Sequence, residues 1–159
     1  MKIKALILIA AMTFGSAQAQ TIEVKDAWVR ATVAGQMATG AFMAITAKAD
    51  TKLVGVSSPA AGITQIHEMK MEDGVMKMRA LDGGLDLPAG KPVQFQPGGY
   101  HLMLMDLKAP LANNSLIALT LVLRDGKGVE SKIELKVPVA SGAAQTSAGG
   151  KAGIGGHKQ

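Results

Sequence analysis

Two histidines and two methionines are the residues of this chain whose types and spacing suit metal chemistry. His67 and Met78 are separated by ten residues, and His101-Leu102-Met103 follows further along the chain. The chain has no cysteine, so its soft donors are imidazole nitrogens and thioether sulfurs. Such a neutral set suits Cu(I), whereas Mg²⁺ and Ca²⁺ prefer oxygen and structural Zn²⁺ usually takes thiolate. The pattern therefore indicates copper binding.

Methionines are concentrated in the same part of the chain. Six of the ten fall between positions 69 and 105, namely Met69, Met71, Met76, Met78, Met103 and Met105. Methionine alone is weak evidence, because it is a common filler of irregular cores. However, histidine and methionine recur two positions apart twice, at His67/Met69 and His101/Met103. This recurrence favours a metal site over core packing.

The two ends of the chain differ from the middle. Residues 1–19 combine an early positive charge, an apolar stretch and the small-x-small sequence Ala17-Gln18-Ala19, which predicts a signal peptide for export. The apolar stretch is too short to span a bilayer, and no later segment reaches about 20 apolar residues. Residues 140–159 are rich in Gly, Ala and Ser, which predicts a flexible tail. Residues 20–139 remain as one domain.

Charge and composition argue against two classes of function. The formal charge is +5, but four lysines lie in the two ends, leaving thirteen basic and twelve acidic residues in the middle. With that balance and a single Trp and Tyr, nucleic-acid binding is not expected. There is also no Cys and no G-x-S-x-G sequence, so no nucleophile constellation suggests an enzyme.

Apolar residues between positions 20 and 139 alternate with a period near two, and turn residues interrupt them. This pattern predicts an all-β domain, an antiparallel sandwich or Greek-key barrel. The predicted strands are Ile22–Arg30, Gly40–Ala47, Leu53–Ser57, Thr64–Met71, Val75–Leu81, Val93–Phe95, His101–Leu107, Leu116–Leu123 and Val129–Val137.

One hairpin can be registered from the sequence. If Asp73-Gly74 is a two-residue turn, Met71 faces Met76, Met69 faces Met78, and His67 faces Ala80. His67 and Met78 are then diagonal neighbours on one face. On the other face, the same register places Lys70 opposite Lys77, which is unfavourable.

The segment from His101 to Met105 alternates in the same way. Its histidine and methionines point to one face, while Leu102 and Leu104 point to the other, towards the core. The preceding Pro97-Gly98-Gly99-Tyr100 places His101 near the end of a strand. Two strand ends, each with an imidazole and a thioether, would form a four-ligand site near the rim of a sandwich.

These residues resemble the signature of the periplasmic PCu(A)C copper chaperones, in which His and Met separated by ten residues are followed by His-x-Met. Here twenty-two residues separate Met78 from His101, one more than is usual in the family. The extra residue is expected in the turn at Gly83-Gly84, where an insertion does not disturb strand register. The resemblance extends over Ile22 to Val137.

The resemblance implies a cupredoxin-like β-sandwich that holds Cu(I) through His67, Met78, His101 and Met103. It implies a periplasmic protein that supplies copper to the CuA centre of respiratory cytochrome c oxidase, alongside Sco-type copper proteins. Some members bind Cu(II) in a C-terminal extension rich in His and Met. The tail of this chain has only His157 and no Met, so the resemblance does not carry a second site over to it, and Cu(II) binding by His157 stays open.

Three alternatives remain open at the level of sequence. An electron-transfer cupredoxin normally needs a cysteine ligand, so the absence of Cys argues against it. A copper-sequestering or resistance protein would use the same ligands as a chaperone. A metal-free interaction module would present the methionines as an adhesive surface.

Overall fold

The computed structural model describes residues 22–142, which form ten β-strands joined by turns and short loops. The strands are β1 (Ile22–Arg30), β2 (Ala38–Ala47), β3 (Thr51–Ser57), β4 (Ala61–Glu72), β5 (Val75–Ala80), β6 (Leu85–Leu87), β7 (Pro92–Phe95), β8 (Tyr100–Leu107), β9 (Leu116–Asp125) and β10 (Glu130–Ala140). The predicted all-β class is confirmed. Nine strands match the predicted ones within a few residues, and β6 is the strand that the sequence did not reveal. In residues 22–142, no helix has the length and apolar character needed to cross a membrane.

Hydrogen bonds connect the strands in the order β5-β4-β8-β7-β2-β1-β10-β9-β3-β6. Most pairings are antiparallel, as predicted, but β1 pairs with β10, and β7 with β8, in parallel, so the sheet is mixed. The β1–β10 contact is short, with Val29 opposite Val139 and Arg30 opposite Ala140. It joins the part of the sheet that runs from β5 to β1 with the part that runs from β10 to β6. The first and last strands of the domain therefore lie side by side.

The two parts of the sheet pack over one hydrophobic core. In β9, Ile117, Leu119, Leu121 and Leu123 point inward at alternate positions, as the two-residue period of a strand requires. In β8, Leu102 and Leu104 are fully buried in the same core. Side chains that alternate with these inward-pointing residues along each strand therefore lie on the outer face of the sheet.

A turn and a bulge position this outer face. β2 pairs with β7 through Met43–Thr46 and with β8 through Ala38–Ala41, so β7 and β8 lie end to end beside it. The Pro97-Gly98-Gly99 turn separates them, and Gly98 has a φ of 83°, a conformation that glycine adopts without steric cost. In β1 a register shift between Lys25 and Trp28 leaves Trp28 opposite Phe42.

The predicted domain, residues 20–139, overlaps the described residues 22–142. The predicted signal peptide, residues 1–19, and residues 143–159 of the predicted tail lie outside residues 22–142. Strand β10 continues to Ala140, one residue beyond the predicted end of the domain.

Candidate metal centre

A row of four rings crosses the outer face of the sheet, one from each of four adjacent strands. Trp28 of β1 lies 4.8 Å from Phe42 of β2, measured between ring centroids. Phe42 lies 6.4 Å from His101 of β8, and His101 lies 5.6 Å from His67 of β4. All four side chains are less than a tenth exposed. The two buried histidines thus stand at one end of an aromatic row.

His67 and His101 are direct partners across β4 and β8. The sequence placed each of them on a strand with a methionine two positions later, but it gave no register between the two strands. The pairing brings their rings into edge-on contact, with an interplanar angle of 68°. Two imidazoles that were expected at neighbouring strand ends are therefore adjacent.

The hydrogen bond of His67 fixes which of its nitrogens is free. Its Nε2 lies 2.9 Å from Oε1 of Gln65, and an amide oxygen can only accept, so Nε2 carries the proton. Nδ1 then has a free lone pair. Within residues 22–142, Nδ1 is the one buried side-chain nitrogen or oxygen atom without a hydrogen-bond partner. An unsatisfied buried acceptor is costly, and a metal ion would satisfy it.

His101 has the complementary arrangement. Its Nδ1 lies 3.2 Å from the carbonyl oxygen of Gly99, so Nδ1 donates a hydrogen bond and Nε2 keeps its lone pair. The same carbonyl accepts a hydrogen bond from the backbone N–H of Met69 at 3.1 Å. Metal-binding histidines usually donate their second ring N–H to such a carbonyl or amide oxygen. Each imidazole therefore donates one ring N–H to an oxygen acceptor, as is typical of histidines that bind metal through the other nitrogen.

Burial lowers the pKa of His67 below its ordinary value, and the neighbouring His101 lowers it further, while Asp82 acts in the opposite direction. Desolvation disfavours the charged form of histidine. His67 is therefore neutral at pH 7, which is the form that binds metal.

Met78 lies on β5, the neighbour of β4, and Met103 lies on β8, the strand that carries His101. Together with His101 they line a cleft of about 300 Å³. Met78 is 50% exposed, so the cleft opens to solvent on the side of β5. The other lining residues are Arg30, Gln36, Ala38, Thr39, Gly40, Phe42, Met69, Pro97 and Gly98.

Gly40 leaves room for the aromatic row. It pairs with Met103 across β2 and β8, and a Cβ atom at this position would lie 2.8 Å from Cζ of Phe42. Since real Cβ contacts are not this short, a side chain here would displace the Phe42 ring. Glycine therefore allows Phe42 to lie next to His101.

The donor set suits a soft monovalent ion. Among the described residues, no group of three or more His, Cys, Asp and Glu lies together where it could hold a metal ion. What the outer face brings together is two imidazoles and two thioethers, and thioether sulfur selects Cu(I) over harder divalent ions. By its chemistry, this set of donors would suit Cu(I) as a bound cargo.

The hairpin register predicted from Asp73-Gly74 is confirmed. Met71 pairs with Met76, Met69 with Met78, and His67 with Ala80, and both turn residues have positive φ, as this two-residue turn requires. The adverse Lys70–Lys77 pair is also present. Lys77 instead forms an ion pair with Glu72 at 3.2 Å.

Three contributors to this site were not predicted from the sequence: Gln65, the Gly99 carbonyl and the aromatic pair Trp28–Phe42. Gln65 lies two positions before His67 on the same face of β4, so strand alternation alone could have revealed it. The carbonyl and the aromatic pair depend on the pairing of β2, β4 and β8, which no local signal specifies.

Comparisons with known proteins place this arrangement in a family. The family model described as "Putative lipoprotein LpqE-like" matches residues 22–139, nearly all of the described segment. The chain belongs to the LpqE-like family. It is also 36% identical over 126 residues to "Putative lipoprotein Lxx21020" of Leifsonia xyli subsp. xyli, covering 79% of this chain and 75% of the relative.

Solved structures share the fold of this LpqE-like chain. The Cu(I) form of DR1885 from Deinococcus radiodurans is 26% identical with a TM-score of 0.58, covering 79% of this chain and 82% of that protein. The copper-bound PCuAC domain of PmoF2 is 23% identical with a TM-score of 0.55, covering 77% and 99%. The apo PCuAC domain of PmoF1 is 23% identical with a TM-score of 0.56, covering 74% of this chain and 93% of that domain. The expected relation to PCu(A)C proteins and the cupredoxin-like β fold are confirmed.

Proposed function

We propose that this protein is a copper chaperone of the cell envelope that binds Cu(I) through His67, Met78, His101 and Met103. The observation that carries the proposal is the buried, unpartnered Nδ1 of His67, which lies beside the His101 ring next to a cleft lined by two thioethers. The solved relatives support it, since two are described as copper-bound or Cu(I) forms.

Transfer rather than storage follows from the position of the site. The histidines are buried, but Met78 is 50% exposed at the edge strand of the described sheet. The ligands of an acceptor protein can therefore displace the thioether of Met78 before the imidazoles dissociate from copper. Because the thioether is neutral, its displacement leaves no uncompensated charge on this chain. Copper stays Cu(I) throughout, and the event is an exchange of ligands.

We further propose that the recipient is the CuA centre of cytochrome c oxidase, with Sco-type copper proteins as accompanying partners. The residue signature His67, Met78, His101-Leu102-Met103 supports this assignment through its resemblance to PCu(A)C chaperones. Export to the periplasm is supported by the signal-like residues 1–19 and by the lipoprotein descriptions of the relatives.

A transfer assay tests the recipient. The Cu(I)-loaded full chain is mixed with the apo CuA domain of an oxidase subunit, the two proteins are separated, and copper is measured in each. We expect copper to move to the acceptor, and an acceptor lacking its cysteine ligands to gain none. Copper that stays on this chain, while the acceptor takes Cu(I) from a weak chelator, would instead indicate a sequestering protein.

A further inference from the structure

The end of the β4–β5 hairpin extends beyond the body of the sheet. Strand β4 pairs with β8 only as far as Glu68 opposite Tyr100, and β5 is an edge strand of the described sheet. The N–H of Met69 still donates a hydrogen bond to the Gly99 carbonyl. Beyond Met69, the strand pairs of residues 70–77 in the described structure join β4 to β5. The hairpin end is thus a two-stranded ribbon.

This ribbon carries methionines that do not serve as core. Met71 and Met76 are direct cross-strand partners, and they are 59% and 42% exposed. Cβ atoms of directly opposite residues lie about 4.5–5.5 Å apart, so the two flexible thioethers can converge on one ion. Exposed apolar residues grouped in this way call for an explanation other than packing.

The same face of the ribbon leads to the histidines. Met69 and Met78 form the next pair along the ladder, and His67 follows on β4. Successive residues on one face of a strand are about 6.6 Å apart, a short step for an ion held by long side chains. The charged residues alternate to the opposite face, where Glu72 pairs with Lys77.

We propose that Met71 and Met76 form a second, weaker Cu(I) site at the hairpin end, from which copper passes along the methionine ladder to and from His67 and His101. The inference rests on the proposed Cu(I) function and adds an entry and exit point to it. Two neutral thioethers select Cu(I) but bind it without the stronger imidazole donors. The pair therefore fits an exchange site rather than a storage site.

The proposal is tested with Ag(I), a redox-stable probe for Cu(I), added to the full chain labelled with ¹³C at the methionine methyl groups. During the first equivalent we expect the NMR signals of Met78 and Met103 to shift. During the second equivalent the signals of Met71 and Met76 should shift. The double variant M71L/M76L should lose the second equivalent and keep the first, because leucine conserves volume and removes sulfur.

Met37 provides a matched control, since it is 54% exposed but lies outside the hairpin. Met37→Leu should leave both equivalents unchanged. If Met71 and Met76 respond no more than Met37 while Met78 and Met103 shift, the second site is refuted and the proposed function stands. If none of these methyl groups shifts, both proposals are refuted.

Discussion

Two hairpins of this protein follow the same two-residue period and use it for different purposes. In the β9–β10 hairpin, Leu119, Leu121 and Leu123 alternate inward and are fully buried. In the β4–β5 hairpin, Met71, Met76 and Met78 alternate onto one face and remain 42–59% exposed. Both hairpins are regular antiparallel ladders. The periodicity fixes which residues share a face, and the residue type decides whether that face stabilises the fold or contacts a ligand.

The same division runs through a single strand. On β8, Leu102 and Leu104 belong to the core, whereas His101 and Met103 lie on the outer face. Changes on the inner face are therefore expected to alter the free energy of unfolding, and changes on the outer face to alter metal affinity. The predictions below test this separation.

The largest effect is expected in the β9–β10 hairpin. Leu121→Ala removes a fully buried side chain and should lower the free energy of unfolding by about 2.7–5 kcal/mol, the range measured for comparable core substitutions. Chemical denaturation of the apo protein measures it. The folded fraction should still bind Cu(I) with unchanged affinity. A loss of affinity in that fraction would show that core and site are not separable.

The next largest effect is expected for the outer face of β8. Met103→Leu keeps the volume and deletes the sulfur, so it should weaken Cu(I) binding by about 100-fold, the upper end of the range for losing a residue that only supports a ligand. Met105→Leu is the control, two residues further along the same strand face and absent from the cleft lining. Competition with a chromogenic Cu(I) chelator measures both. Equal losses would indicate a diffuse sulfur surface instead of a defined site.

A smaller effect is expected for Gln65. Gln65→Leu removes the acceptor that holds the proton on Nε2 of His67, so Nδ1 is no longer kept free, and Cu(I) affinity should fall by about tenfold. The ¹⁵N chemical shifts of His67 in the apo protein report the tautomer directly. Gln65→Glu keeps an oxygen acceptor and should preserve the tautomer. An unchanged tautomer in the leucine variant would contradict the assigned role.

The smallest effect is expected from pH. Copper requires the neutral form of both histidines, so affinity should decrease as pH falls. Burial and the neighbouring His101 lower the pKa of His67, so its proton competes with copper only below the ordinary histidine value of about 6.5. We therefore expect a loss of less than about tenfold between pH 7 and pH 6. After correction for the chelator's own titration, a flat profile down to about pH 5 would exclude histidine ligation.

The sequence predicted the local parts of this structure well. Strand alternation and the Asp73-Gly74 turn were enough to register the β4–β5 hairpin, because both signals act over a few residues. The direct cross-strand pairing of His67 with His101 was not predictable from local signals, because three other strands lie between β4 and β8 in the chain. Strand β6 was missed because its three residues are too few to show a period. The parallel β1–β10 contact depends on closure of the whole domain and leaves no local pattern.

X-ray absorption at the copper K-edge of the full chain, loaded with less than one equivalent of Cu(I), tests the central claim most directly. The account predicts an edge typical of Cu(I) and a first shell of two nitrogen and two sulfur donors, from His67, His101, Met78 and Met103. In Met103→Leu, one sulfur should be lost while both nitrogens remain. A first shell without sulfur, or one with sulfur and no nitrogen, would contradict the account.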